Sequence, residues 1–300
     1  VALNAVSDVW KKQAAQWERV GPPLRPSAED LRHQQRVAGS WAECGRAPRI
    51  LLLGVTPELA LLEWPQPRHL LAVDCCAEMI RQVWPHRSGV ADAVVVAGVG
   101  SRSSSGDGSG HSGPSDAVVQ ADWLELPLAD RSRDLVVSDG CFGVIGYPVQ
   151  YRALLRSVRR VLSSDGRYVF RVFVRPPRRE TAADVYDDAM AGRIGNFHAF
   201  KLRLLMAMQV DSVSGVKTGD VWENWTRQGP GAEALGAACG WPREQIATID
   251  AYRGHATVYC FPTVDELRDL FRYEAFEELE CAWPGYESGD RCPTFVLAPR

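Results

Sequence analysis

The sequence predicts an α/β fold: a doubly wound, mainly parallel sheet of seven strands, with helices ahead of it and a helical insertion before its last strands. Three features carry that expectation. Between residues 48 and 175 short apolar runs alternate with helical segments, the pattern of strand–helix units on a parallel sheet. The runs are continuous rather than alternating, as strands buried on both faces require. Two further runs near the C-terminus, joined by a loop rich in Gly, Asp and Pro, read as an antiparallel hairpin on the sheet edge.

In residues 7–20, Val9, Trp10, Ala14 and Trp17 recur at helical spacing, and Gly21-Pro22-Pro23 stops the run. A second helix starts at Ser27, where Pro26-Ser27-Ala28-Glu29-Asp30 has a capping-box pattern, and ends near Cys44-Gly45. The first strand, Arg49 to Leu53, ends on Gly54. Thr56-Pro57-Glu58 then signals a short helix: a cap, a proline suited to the first position, and an acid at the positive end of the dipole. Strand two, His69 to Val73, closes on Asp74, and a helix from about Cys76 to Trp84 stops at Pro85.

Residues 98–116 are Gly/Ser-rich without apolar periodicity and are expected to form a flexible insert. The preceding run, residues 93–100, resembles a strand entering glycines, yet no helix follows, so a dinucleotide fingerprint lacks its context. Strand three, Ala117 to Ala121, leads to Asp122-Trp123; strand four, Asp134 to Ser138, leads to Asp139-Gly140. An amphipathic helix from Val149 to Leu162 sets Leu154, Leu155, Val158 and Val161 against Arg152, Arg156, Arg159 and Arg160. Gly166 is expected to end it, with a fifth strand from Arg167 to Val174. The rhythm then lapses over residues 178–260, which hold helices at Ala182 to Met190 and Asn196 to Met208 and a Trp/Gly-rich stretch. Thr263-Val264-Asp265-Glu266, a second capping box, opens a helix to Phe271, and strands at Phe276 to Trp283 and Thr294 to Ala298 follow. The organisation is a helical arm (1–47), a core (48–177), an insertion (178–260) and a C-terminal helix and hairpin completing the core (261–300).

Composition narrows the function. A 46% hydrophobic, 24% charged chain of 300 residues buries a full core without disulfides or metal. The net charge of −3 and scattered arginines offer no phosphate-tracking face, so no nucleic-acid partner is expected. No apolar run reaches the ~20 residues of a membrane helix, and the N-terminal residues lack the order of a signal peptide. Eight cysteines without C-x-x-C or zinc spacing read as reduced, packed side chains, which suits a cytoplasmic protein with no metal site. The hydrolase, zinc-protease and P-loop signatures are missing.

Chemistry concentrates at the carboxyl ends of the strands, where open parallel sheets bind ligands. Asp74 lies about 20 residues after Gly54, the spacing that sets a carboxylate against a ribose diol. Asp122-Trp123 pairs an acidic acceptor with a flat ring, suited to an adenine amino group and its π face. Asp139-Gly140 stands beside the crevice. Each has a plainer reading as helix cap, core or turn residue; their order and spacing together make the case.

Over about residues 48–175 the segments RILLLGVTPELA, LLAVDCCAEMI, AVVQADWLELPLADRSRDLVVSDG and RALLRSVRRVLSSDGRYVFRVF resemble those of the class I, Rossmann-like S-adenosylmethionine-dependent methyltransferases. The resemblance implies that Gly54, Val55 and Thr56 run under the methionine part of S-adenosylmethionine. It also implies that Asp74 meets the ribose with Cys75 beside it in the cofactor site, that Met79, Asp122 and Trp123 surround the adenine, and that Ser138, Asp139 and Gly140 border the reaction centre. One departure stands out: of the family's three glycines in the first motif only Gly54 remains, with Thr56 and Glu58 in the other places. The turn must differ in shape, its helix start still offering amide donors to the methionine carboxylate, and Glu58 is expected to point away from it.

If the acceptor must lose a proton, Asp139, His198 or His255 are the candidate bases. The expected reaction is methyl transfer to a small-molecule acceptor, since Ser138-Asp139-Gly140-Cys141 lacks the Asn-Pro-Pro-Tyr type signature of amino-directed nucleic-acid enzymes. Phe197, Phe200, Met206, Met208, Trp222 and Trp225 either line an acceptor pocket or form the insertion's own core. The altered turn leaves a second reading, a non-catalytic Rossmann-like binding or scaffold protein. A nicotinamide-dependent dehydrogenase would need the G-x-G-x-x-G turn that is missing.

Overall fold

The computed structural model describes residues 3–43, 45, 47–66, 69–85 and 116–300. The run at 93–100 and nearly all of the Gly/Ser insert at 98–116 lie outside the described residues. The chain begins with α1 (Leu3–Ala15), a 3-10 turn (Trp17–Arg19) and α2 (Ala28–Glu43). Ser27 caps α2 as its pattern predicts: its N–H and hydroxyl donate to Asp30 Oδ2 at 2.7 and 2.8 Å.

The core follows in the expected order: β1 (Arg49–Leu53), α3 (Pro57–Ala60), β2 (His69–Asp74), α4 (Ala77–Val83), β3 (Ala117–Gln120), β4 (Arg133–Asp139), α5 (Val149–Val161) and β5 (Leu162–Arg171). The insertion holds α6 (Ala182–Met190), α7 (Phe197–Met208), β6 (Val216–Lys217), α8 (Thr218–Gln228), α9 (Ala232–Cys239), α10 (Arg243–Ile246), a 3-10 stretch (Ala247–Tyr252) and β7 (Val258–Tyr259). The chain ends with α11 (Val264–Tyr273), β8 (Phe276–Ala282) and β9 (Thr294–Pro299).

Among the described residues seven strands form one sheet in the order β3-β2-β1-β4-β5-β9-β8. β1 to β5 pair in parallel, whereas β9 lies antiparallel between β5 and the edge strand β8. The strand order reverses between β1 and β4, which opens a crevice at their carboxyl ends. Strand alternation sends Leu51, Leu53, Val136, Tyr168 and Phe170 to the face covered by α5 and α11. Ile50, Leu52, Leu135, Val137 and Val169 pack on the other face with α2 and α4. Both faces are therefore dry, which explains the unbroken apolar runs. No helix among the described residues is long and apolar enough to cross a membrane.

The α5–β5 junction departs from expectation. Gly166 does not end the helix; β5 starts at Leu162, already paired with Arg133, and Gly166 lies inside it beside a register irregularity. A Cβ there would stand 2.9 Å from Leu162 Cδ2 and about 3 Å from the carbonyls of Ser163 and Asp134, so close packing of the irregular strand excludes one. β5 also ends sooner, at Arg171, after which Val172 and Val174 N–H groups donate to Pro293 and Arg291 carbonyls.

The insertion is more regular than its composition suggests. Phe197, Phe200, Trp225 and Trp241 pack ring to ring, with centroids 5.5 to 5.8 Å apart, as the core of a helical layer. A two-stranded pair, Val216 to Tyr259 and Lys217 to Val258, ties its middle to its end and returns the chain to the crevice.

Candidate active site

A cleft of about 270 Å³ lies at the carboxyl ends of β1, β2 and β4 and collects residues that are far apart in sequence: Gly54, Val55, Thr56, Asp74, Cys75, Met79, Asp122, Trp123, Asp139 and Gly140. The acids at 74 and 122 thus face one space. Ser138 is the exception among the expected cofactor-binding residues. It is fully buried and its hydroxyl shares a 3.0 Å hydrogen bond with Tyr168, because strand alternation turns it into the sheet when Asp139 faces the cleft.

Local geometry explains each placement. Gly54 breaks off β1 at φ 88°, a conformation that only glycine adopts without strain. Its N–H donates to Val73 O at 2.8 Å, and Trp123 Nε1 donates to the same carbonyl at 2.7 Å. That shared acceptor fixes the indole beside the Gly54 backbone, where an added Cβ would lie 3.9 Å from the ring. Asp122 Oδ1 accepts the Leu124 N–H at 2.9 Å and caps the 3-10 turn Trp123–Glu125, which holds both residues at the cleft wall. Asp74 Oδ1 accepts the Cys76 N–H at 2.7 Å, so the acid also braces the start of α4.

Burial pushes the Asp74 carboxyl up to about 7, against the pull of the Cys76 and Cys75 amides. Burial likewise raises the Cys75 thiol to about 12, leaving it protonated and unreactive. Thr56 makes no side-chain cap bond to the single turn of α3 and lines the cleft instead. Glu58 turns away as expected: Arg25 Nε donates to it at 2.6 Å.

The candidate bases are differently placed. Asp139 Oδ1 and Oδ2 accept from Arg171 Nε and Nη2 at 2.6 and 2.9 Å. Burial pushes its carboxyl up, and the guanidinium opposes that shift. His198 is buried behind Gly21, with burial driving its imidazole down to about 4. His255 Nε2 lies 2.8 Å from Lys12 Nζ at an exposed position. Neither histidine lines the cleft.

A second chamber of about 100 Å³ adjoins the first and shares Trp10, Trp17, Thr56, Asp139, Gly140 and Val144 with it. Beyond that common wall lie Lys201, Phe173, Tyr252, Tyr259 and Phe261. Of the insertion residues singled out in the sequence, Phe197, Phe200 and Trp225 pack in the insertion's own core, and none of the six lines either space. Lys201 is what the sequence reading missed. Its signal was a lone amine inside the apolar helix FHAFKLRLLMAM. Trp10 and Trp17 were seen as a helical stripe, but their distance from the core in sequence gave no hint that they roof the crevice.

These residues fit an adenosyl ligand. A half-satisfied buried carboxylate at 74, a pinned indole at 123 and a Cβ-free approach at 54 supply acceptor, ring contact and room for close backbone approach. Thr257, which also lines the cleft, carries a buried hydroxyl without a hydrogen-bond partner among the described residues.

Residues 53–170 match a family model described as a methyltransferase domain. The fold resembles that of the Burkholderia thailandensis 1,6-didemethyltoxoflavin-N1-methyltransferase, solved with 1,6-didemethyltoxoflavin and S-adenosylhomocysteine (TM-score 0.50, 15% identity, covering 100% of this chain and 91% of that one). It also resembles a candidate Zn-dependent alcohol dehydrogenase from Rhodobacter sphaeroides (TM-score 0.52, 11% identity, 96% and 98%), a likeness of fold alone. No curated protein matches the sequence. The family match spans the segment that carries Gly54, Asp74, Asp122, Trp123 and Asp139, and the chain therefore carries a class I S-adenosylmethionine-dependent methyltransferase domain whose cofactor is S-adenosylmethionine.

Proposed function

We propose that this enzyme methylates a small molecule held in the second chamber. The observation that carries the reading is the common wall: the adenosyl cleft and the chamber beside it meet at Thr56, Asp139, Gly140 and Val144. In this reading Asp74 receives the ribose hydroxyls, Asp122 and Trp123 take the adenine, and Gly54 to Thr56 run along the methionine part. The sulfonium supplies an already activated methyl group, so the chain's task is alignment and exclusion of water. The chamber's small volume and apolar walls suit a compact acceptor rather than a polymer. Incubating the enzyme with methyl-labelled cofactor and a cell extract tests this. The label is expected in the dialysable fraction, and label confined to protein or nucleic acid would overturn the reading.

Cofactor binding is also expected to depend on pH. A ribose diol donates to the carboxylate form of Asp74, whose midpoint without ligand is about 7. Affinity should be full above that midpoint and fall as pH drops through it, by roughly tenfold per unit. Calorimetric titration with S-adenosylhomocysteine across that range measures the slope.

A further inference from the structure

We propose that the acceptor is a flat aromatic molecule bearing a weakly acidic hydroxyl or ring N–H, and that Lys201 receives its proton as the methyl group arrives. The inference rests on the methyltransferase reading and specifies its substrate class.

The chamber walls are aromatic, with Phe173, Phe261, Tyr252, Tyr259, Trp10 and Trp17 around it, and such surfaces favour a planar ring. Into this slot α7 brings Lys201, which is 1% exposed. Its Nζ has one hydrogen-bond partner among the described residues, Thr248 Oγ1 at 3.0 Å. An ammonium carries three donors, so two are left for a ligand or go unmet. Among the described residues no carboxylate pairs with it. Asp139 shares the chamber but is bound in bidentate fashion to Arg171.

The other titratable groups around Lys201 do not supply a counter-charge. His198 precedes it on α7 and is held neutral by burial. The Tyr252 ring lies 5.4 Å from Nζ, and burial raises the phenols of both Tyr252 and Tyr259. Desolvation brings Lys201 itself down to about 7, so a large share of the side chain is a free amine at neutral pH.

The step balances. The acceptor's oxygen or nitrogen lone pair forms the new bond to the methyl carbon, and the carbon–sulfur bond breaks with its electron pair going to sulfur. The acceptor's proton moves to the Lys201 lone pair. One positive charge is present before and after: it leaves sulfur as it appears on Nζ. A cationic ligand in the adjoining cleft further disfavours the ammonium beforehand, and its neutralisation removes that penalty as the proton arrives.

The test uses 4-nitrophenol, a flat acidic ring whose anion is coloured, and 4-nitroanisole, the same ring without the proton. With wild-type protein and S-adenosylhomocysteine near pH 6.5, where the free phenol is mostly protonated, 4-nitrophenol is expected to bind about tenfold more tightly than 4-nitroanisole, with the anion's absorbance enhanced on binding as its proton passes to Lys201. Lys201→Met should bind the two equally and lose the anion signal while keeping S-adenosylhomocysteine affinity. Its fold is protected because methionine suits an apolar helix and the Thr248 hydroxyl still donates to Gln245 O at 2.7 Å. Equal binding of the two rings by wild type, an unchanged anion signal in Lys201→Met, or loss of S-adenosylhomocysteine binding in that variant would each overturn the proposal. Failure of wild type to bind S-adenosylhomocysteine would instead strike the methyltransferase reading, leaving the comparison of the two rings intact.

Discussion

Asp74→Ala is expected to weaken S-adenosylhomocysteine binding by about five- to 150-fold, roughly 1–3 kcal/mol, the cost of removing one partner from buried hydrogen-bonding groups. The expectation follows from where the side chain stands. Asp74 Oδ1 holds the Cys76 N–H, and the side chain still lines the cleft with acceptor capacity to spare. Its raised midpoint shows that burying the charge without a ligand is costly. Losing the Cys76 hydrogen bond and losing that penalty act in opposite directions, so the variant should unfold at nearly the wild-type denaturant concentration. Binding lost without stability lost is the signature of a ligand group. Asp74→Asn, which cannot titrate, should lose less affinity and should flatten the pH dependence. Calorimetry on the three proteins decides the matter, and equal affinity for wild type and Asp74→Ala would remove the acid from the cofactor site.

Arg171→Met is expected to cost about 3–5 kcal/mol of folding stability, the effect of breaking a buried ion pair from one side. Arg171 is fully buried at the end of β5. Beyond its bidentate pair with Asp139, its Nη1 donates to Pro23 O at 2.8 Å and Tyr286 Oη at 3.1 Å and lies 3.6 Å from Asp30 Oδ2. One guanidinium thus joins the N-terminal arm, the crevice end of β4 and the loop between β8 and β9. Burial works against its charge, and Asp139 more than offsets that, raising it well above its ordinary value. Without it, the carboxylates of Asp30 and Asp139, 2% and 6% exposed, are left with no cation between them. Urea unfolding measures the loss, and Arg171→Met/Asp139→Leu should recover part of it by removing one stranded carboxylate. A loss under 1 kcal/mol would show that the arm is held by other contacts. Because Asp139 sits on the wall common to both chambers, the single variant should also weaken cofactor binding.

Much of this was legible because it is local. The buried strands announced themselves as apolar runs, and both capping boxes formed where Ser27 and Thr263 placed them, with the Thr263 hydroxyl accepting the Glu266 N–H at 3.3 Å. Gly54 and Asp74 were readable as strand-end residues because a parallel sheet delivers such ends to one crevice whatever follows. Ser138 shows the limit of that reasoning: its position in the strand end was right, yet one step of alternation turned its side chain into the sheet. Gly166 shows another, since a glycine after a helix has the same local signature whether it caps the helix or lies within an irregular strand.

The sequence by itself determined the sheet, the order of its strands' functional ends and the two acids that face the crevice, since these follow from hydrophobic period, turn chemistry and the handed rules of parallel connections. Only the tertiary structure decided what stands opposite them. Trp10 and Trp17 come from before the core and Lys201 from after it, and no periodicity links residues brought together by packing across 190 positions. Burial is likewise a property of the assembled fold. The aspartate at 139 became an arginine's partner and the lysine at 201 a desolvated amine when neighbours distant in sequence excluded water from around them.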